Sequence, residues 1–445
     1  MRKILLLFVI IAYLTGFPHS SLCFEVPLKF EKAPLDPNVF FPYGHIGIYM
    51  SPGDPGDDYK LPKFNSDKPF FGHVKLEQSE FYIALDVNNA VDNKYTRMFF
   101  DFNNNKDLTD DLIIEGKENK QGNLSLGGMY FVEFLPFDLQ IKDENGNLSQ
   151  YSIKPSVYGQ SKSIFNSSNT ANVSFRVSGA YSGTFKLGKS KYNIKFSDND
   201  GNGKFDDKAQ FENTPGYFGN SAVFPRGDIV YISDGRKLDY YDGQYLGDLL
   251  LIGDKIFDFK VDIAGKKMIL TEIKKGLSKL KLSCKPEFLS LYTADGTHFI
   301  MAYKPSGNEI KVPGGIYKLM GYELLRKDEQ GDLWSVNAVS TKNTHIVSVK
   351  PDTVVTLKFG EPFTPKVFLP ILNYRTSANN QNTPMAFNIE GIGKEVIINM
   401  SRREGTATKI PLSKKQGCGN RPQEPSYMII KPDGELVSQG TFEYG

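Results

Sequence analysis

A strand that runs into an oxygen-rich loop occurs twice in this chain, on one frame. The first copy reads Lys94-Tyr95, five residues, then Asp101, Asn103, Asn105, Asp107 and a closing Asp110-Asp111. The second reads Lys191-Tyr192, five residues, then Asp198, Asp200, Asn202, Gly203, Lys204 and a closing Asp206-Asp207. The Lys-Tyr pairs and the first aspartates are each separated by 97 residues, while the closing Asp-Asp pair comes one residue sooner in the second copy. An alternating strand needs a partner strand, and a loop of Asp, Asn and Gly needs groups that satisfy its oxygens. Oxygen side chains at every second position suit a hard cation such as Ca²⁺, which takes about six to eight oxygens at once. The frame therefore predicts duplicated β-modules with metal-binding loops.

The rest of the chain has the same strand grammar. Phe288 to Thr293, Asp295-Gly296 and Thr297 to Tyr303 read as strand, tight turn, strand, because Asp-Gly supplies the positive φ angles of a hairpin. Tyr427 to Ile430, Asp433-Gly434 and Glu435 to Ser438 repeat it, and similar turns fall at Asn145-Gly146, Asp234-Gly235 and Asp242-Gly243. Helical periodicity is confined to Leu246–Leu251 and Thr271–Leu282, both short and interrupted by glycine. A length of 445 residues implies about three domains. The expected fold is all-β, with three to four antiparallel β-sandwich modules of Ig-like or Greek-key type in tandem. A first module spans 24–166 and a second 167–282, divided by the Ser/Asn-rich segment 165–172. A third spans 283–361 and a last 366–445, divided by the proline-rich joint at 360–365.

The N-terminus points to export. Arg2-Lys3, an unbroken apolar stretch from Ile4 to Leu14, and small residues at Ser20 and Ser21 have the layout of a signal peptide over residues 1–23. The stretch is too short to span a bilayer, which takes about 20 apolar residues, and no later segment is apolar for long enough. A secreted or periplasmic protein beginning at Phe24 is expected, with lipid attachment at Cys23 as the rival, although Leu22 sits where such signals carry a small side chain. Loss of residues 1–23 removes two of the 53 basic residues and none of the 51 acidic ones, so the balance becomes even. Bulk charge then recruits neither nucleic acid nor an anionic membrane. Cys284 and Cys418, the two remaining cysteines, lie far apart and form no disulfide framework, and two separate thiols are expected.

The second loop resembles the EF-hand and dockerin type of calcium loop, with Asp198, Asp200 and Asn202 at positions 1, 3 and 5 and Gly203 at the sharp turn of position 6. The resemblance implies Asp198, Asp200 and Asn202 as side-chain ligands and Lys204 through its backbone carbonyl. Ala209 replaces the usual Glu of position 12, so Asp206 and Asp207 are expected to close the shell. The flank from Tyr192 to Phe196 alternates like a strand, which implies a fixed structural site rather than a sensor that opens. In the first loop Asp101, Asn103, Asn105 and Asp107 occupy positions 1, 3, 5 and 7, Lys106 replaces the glycine, and Asp110 or Asp111 closes. An Asn/Asp turn without metal is the alternative for both. The segment Ile310 to Tyr322 resembles the strand entry of carboxypeptidase-regulatory-like sandwiches, which implies a non-catalytic accessory domain. The whole layout resembles exported multi-sandwich proteins of environmental bacteria.

Other chemistries find little support. Gly183 to Ser190 fits the phosphate-loop spacing, but the following residues, Lys191 to Phe196, read as a strand where the mechanism needs a helix N-terminus. No nucleophile elbow or zinc helix is present, and His45, His73, His298 and His345 are dispersed. Tyr240, Tyr241 and Tyr245, or Phe40, Phe41 and Tyr43, are candidates for stacking on sugar rings, with strand packing as the plainer reading. The expected role is calcium-stabilised binding or scaffolding outside the cytoplasm, with a carbohydrate or a protein as ligand. A polysaccharide-acting hydrolase or lyase with accessory β-modules is the alternative.

Overall fold

The computed structural model describes residues 22–444, apart from 35, 37, 54–57, 90–93, 120–128, 161–169, 215–221, 240–241, 294, 296–298, 304, 306 and 369–384. The predicted signal peptide up to Ser21, most of the expected seam at 165–172 and the pair Tyr240-Tyr241 lie outside the described residues. Among the described residues the chain is all-β, with strands in mostly antiparallel sheets and no α-helix.

In the N-terminal part, β3 (His45–Tyr49), β8 (Lys117–Glu118), β9 (Met129–Glu133), β10 (Phe137–Lys142), β11 (Leu148–Gln160) and β12 (Thr170–Val177) form one sheet. Its order is β3-β12-β11-β9-β8, with β10 also on the long β11. A meander, β4 (Phe70–Leu76), β5 (Ser79–Val87), β6 (Tyr95–Phe100) and β7 (Ile113–Glu115), carries the first acidic loop between β6 and β7. The second loop follows β14 in the sheet β18-β17-β14-β13-β2, built from β2 (Lys29–Lys32), β13 (Gly179–Leu187), β14 (Ser190–Ser197), β17 (Ile229–Ser233) and β18 (Gly243–Tyr245). The sheet β1-β21-β20-β19 contains β1 (Cys23–Pro27), β19 (Leu249–Ile252), β20 (Lys255–Asp262) and β21 (Lys267–Ile273), and β15 (Gln210–Thr214) and β16 (Ala222–Arg226) form a ribbon.

The C-terminal part contains β22 (Leu277–Leu282), β25 (Glu309–Pro313) and β29 (Val354–Leu357), in which β22 and β29 run parallel. Beside it lies an eight-stranded sheet of β23 (Phe288–Thr293), β24 (Phe299–Tyr303), β26 (Gly315–Lys327), β27 (Leu333–Val339), β28 (Ile346–Val349), β30 (Thr364–Phe368), β31 (Ala386–Glu390) and β32 (Val396–Glu404). A terminal hairpin pairs β33 (Ser426–Ile430) with β34 (Leu436–Thr441).

Alternation explains these elements. In β21 the residues Met268, Leu270 and Glu272 turn inward, and in β22 Ser278, Leu280 and Leu282 do. Period two therefore governs the window Thr271–Leu282, and the other window of helical spacing, Leu246–Leu251, runs into the strand β19. The two cores are separate. One gathers Val26, Leu85, Phe100, Val157, Phe175, Phe196 and Leu270. The other gathers Leu289, Leu319, Leu324, Val336 and Phe359. Strands on either side of residue 166 interleave in the first: β12 pairs with β3 and β11, β1 with β21, and β2 with β13. Likewise β27 pairs with β32 across the joint at 360–365. An open sheet edge is closed by whichever strand matches its pattern, whatever its place in the chain. Burial of Val26 and Leu28 on the N-terminal strands contributes about 1.5–3 kcal/mol each.

Candidate metal centre

Phe196 turns into the core from β14, so Asp198, two positions on, is delivered inward and ends fully buried. A buried carboxylate is costly unless hydrogen-bonded, and three donors from the loop and one from β11 meet it. Gly201 N–H (2.6 Å) and Asn202 N–H (3.2 Å) reach Asp198 Oδ1, while Gly203 N–H (2.8 Å) and the Tyr151 hydroxyl (2.5 Å) reach Oδ2. Curling the backbone around one side chain needs left-handed residues, and Gly201 and Gly203 have φ of +73° and +98°. A Cβ on Gly201 would lie 2.3 Å from Ile46 Cγ1. Asn202 Oδ1 accepts from Lys204 N–H at 2.8 Å, and its amide donates to Asp207. Phe205, buried between the rings of Tyr151 and Tyr181, anchors the loop.

The third carboxylate comes from elsewhere. Asp228 immediately precedes β17, and the pairing of β17 with β14 places it beside the loop. Asn199 N–H donates to its Oδ1 (3.0 Å) and Asp207 N–H to its Oδ2 (2.8 Å). Asp198, Asp200 and Asp228 each offer a carboxylate oxygen within 4.8 Å of the others, with Asp198 and Asp228 buried and Asp200 exposed. Burial pushes all three carboxyls above the usual range. Mutual repulsion adds to this: Asp198 acts on Asp228, and Asp207 on Asp200. The Tyr151 hydroxyl is raised too, first by burial and then by the Asp198 charge.

The donor set fits a metal ion. Ca²⁺ binds carboxylate oxygens at about 2.3–2.6 Å, so ligand oxygens on one such ion lie within about 5 Å of each other, as these do. The triad could hold a metal ion. It contains the predicted Asp198 and Asp200. The predicted Asp206 and Asp207 stand outside it, the Asn202 side chain is turned to Asp207 and the Lys204 backbone, and Asp228 was not foreseen. The only local signal for Asp228 was an acidic residue after a glycine at the head of a strand.

The first loop repeats much of this hydrogen bonding 97 residues earlier. Asp101 is fully buried, accepting from Asn105 N–H and Lys106 N–H at 3.0 Å each. Asn105 Oδ1 accepts from Asp107 N–H (2.7 Å), and its amide donates to Asp110 (2.9 Å). Asn104 and Lys106 take positive φ at the places of Gly201 and Gly203, and Leu108 is buried like Phe205. Asp110 is thus the counterpart of Asp207, and the 97-residue frame runs through the whole loop rather than losing a residue at its close. Asn103 accepts from Asn105 N–H at 3.1 Å. Asp111 has one oxygen on Phe102 N–H (3.3 Å) and is pushed up to about 6, first by burial and then by the Asp101 and Asp110 charges. Lys60 Nζ sits on Asp107 at 2.7 Å. Among the described residues no three carboxylates of this loop converge as the triad does.

The phosphate-loop spacing at 183–190 is a tight hairpin between β13 and β14, with Leu187 opposite Ser190. Cys284 and Cys418 are free thiols. Of the proposed sugar-stacking residues, Phe41 is buried beneath Lys195, while Tyr43 is exposed and carries the Arg176 guanidinium 3.9 Å above its ring. Tyr245 packs beside Tyr292 and Met320. No protein-family model, curated protein or solved structure matches the chain.

Proposed function

We propose that this is an exported binding or scaffolding protein whose second acidic loop is tied to its sheet by one structural Ca²⁺ held by Asp198, Asp200 and Asp228. The observation that carries this reading is the convergence of three carboxylates, two of them fully buried. No Lys, Arg or His ion pair reaches the three among the described residues. A divalent cation offsets both the burial cost and the repulsion, which favours charged ligands over protonated ones. Oxygen-only donors favour Ca²⁺ or Mg²⁺ over softer metals, and a shell partly built from a fixed loop favours the larger and geometrically more tolerant Ca²⁺. The loop's two flanks are strands, so bound metal clamps the structure instead of moving helices. The first loop lacks the third carboxylate and has the Lys60 ammonium beside Asp107, so one ion per chain is expected. Export is supported by the basic and apolar layout of residues 1–23.

Thermal unfolding with Ca²⁺, Mg²⁺ or chelator tests this reading. Ligand bound only by the folded state stabilises it by mass action, about 2.7 kcal/mol at a hundredfold excess over Kd. A calcium-specific rise in midpoint, lost in Asp198→Ala/Asp200→Ala and in Asp228→Asn, is expected. Equal midpoints in all three conditions overturn it.

A further inference from the structure

An exposed row of rings crosses the N-terminal sheets at right angles to their strands. Phe131 of β9 lies opposite Tyr158 of β11, Tyr158 opposite Asn172 of β12, and Asn172 opposite Tyr49 of β3. Directly opposed residues share a face, and the alternating residues Val132, Val157 and Val173 fill the core on the other side. Tyr49 is 89% exposed and Tyr158 48%. The rings of Phe131 and Tyr158 are 4.6 Å apart.

The row continues past the edge of this sheet. Ser51 and Phe71 exchange both backbone hydrogen bonds, at 3.0 and 2.9 Å, and a Cβ on Gly72 would lie 2.6 Å from Met50 Sδ. This isolated bridge joins the chain just beyond β3 to β4, and its antiparallel register carried two residues back points position 49 toward position 73. His73 in turn opposes Tyr82 of β5, whose ring is 4.4 Å from that of Tyr59. At this end lies a cavity of about 240 Å³ whose lining includes Tyr59, Tyr82, His73 and Phe71 together with the aliphatic Ile83 and Leu108. The four neighbouring strands β9, β11, β12 and β3 at about 4.8 Å spacing give a platform of about 14 Å, which the rings of β4 and β5 extend beyond the bridge.

The chemistry of the face selects its occupant. The row consists of rings and one amide, with no aliphatic side chain, and the next row on the main sheet is Gly47, Ser174, Ser156 and Glu133. A Cβ on Gly47 would meet nothing within 4 Å, so a shallow trough borders the rings. A protein partner is usually anchored by side chains buried in desolvated pockets, and this face is shallow and edged with small polar groups. Pyranose rings present C–H faces to aromatics and hydroxyls to Ser, Asn and Glu. Glu133 is paired with Lys154 (2.9 Å) and Glu80 faces His73 (3.4 Å), which leaves little net charge to attract an ionic chain. We propose that this row binds a neutral polysaccharide, laid across the strands with a chain end in the cavity beside Tyr59 and Tyr82. The site is distinct from the metal centre and uses none of its residues.

Affinity electrophoresis of the full exported chain in gels containing xylan, laminarin or hydroxyethyl cellulose tests the proposal, with alginate as the acidic comparison. Retardation by at least one neutral polysaccharide is expected. Tyr49→Ala and Tyr158→Ala should each weaken it about fivefold to tenfold, the scale of one lost ring contact, and Tyr49→Phe should preserve it. Circular dichroism melting confirms that these exposed positions leave folding intact. Retardation that persists in chelator and in Asp198→Ala/Asp200→Ala, below the unfolding temperature, separates this site from the metal reading. Retardation by none of the neutral polysaccharides, by alginate alone, or to the same extent in both alanine variants overturns the proposal. So does a change of oligomeric state in those variants, which would assign the face to a second copy of the chain.

Discussion

Glu395 shows how a single buried carboxyl shapes its surroundings. It is fully buried, and its Oε1 accepts from Gly360 N–H (2.6 Å) and the Tyr322 hydroxyl (3.0 Å). A Cβ on Gly391 would lie 1.9 Å from Oε1, so the glycine makes room for the acid. Burial raises the carboxyl above its ordinary value of 4.5. The folded state therefore holds a proton that the unfolded state has released, and this group makes stability fall as pH rises from 4.5 toward its raised value. Glu395→Gln keeps the acceptor and removes the titration, so urea midpoints measured between pH 4.5 and 7 should fall less steeply than in the parent. Glu395→Ala leaves two buried donors unpaired and should cost about 1–3 kcal/mol at every pH. The sequence did not mark Glu395, because Gly360 and Tyr322 reach it only through the tertiary packing of strands.

At the scale of elements, the two acidic loops separate what a motif specifies from what its neighbours add. Both loops curl the backbone around one aspartate and close it with an Asn-to-Asp side-chain bond. One turn position is Gly203 in one loop and Lys106 in the other, both at positive φ. Gly203→Ala would place a Cβ 3.0 Å from Glu77 N in a conformation unfavourable for L-residues. It should cost about 1–3 kcal/mol in chemical denaturation. Lys106→Gly relieves the equivalent strain and should be neutral or mildly stabilising, since the released strain is offset by the greater freedom of glycine in the unfolded chain. Equal destabilisation by both changes would show that the loops do not share this turn. The Lys60–Asp107 pair is solvent-exposed on its lysine side, where solvent screening leaves such a pair little weight in stability.

At the scale of the whole molecule, the N-terminal sheets share one core and exchange strands across residue 166. The strands around both acidic loops share a core that runs from Val26 to Leu270. A chain cut between residues 166 and 167 would strip β12 of β3 and β11, and β21 of β1. Residues 167–282 expressed alone should therefore fail to give a cooperative melting transition, while residues 24–282 should give one. A cooperative transition in the shorter piece would show that the second loop and its sheet are a self-sufficient module.

Strand periodicity, the glycine turns and the 97-residue frame were legible in the sequence because each depends on residues close along the chain. Alternation tells which face a residue occupies, and Asp-Gly or Asn-Gly tells where a hairpin reverses, as at Gly146 and Gly434 with φ of +81° and +92°. That much determined the all-β class, the two acidic loops, and Asp198 and Asp200 as candidate ligands. Only the tertiary structure decided that Asp228 completes the triad, that β1 and β2 close sheets more than a hundred residues away, and that Phe131, Tyr158 and Tyr49 stand in one row. Alternation assigns a side chain to a face but not to a neighbour. The choice of neighbour rests on apolar burial and hydrogen bonding between segments distant in sequence, which no local pattern encodes.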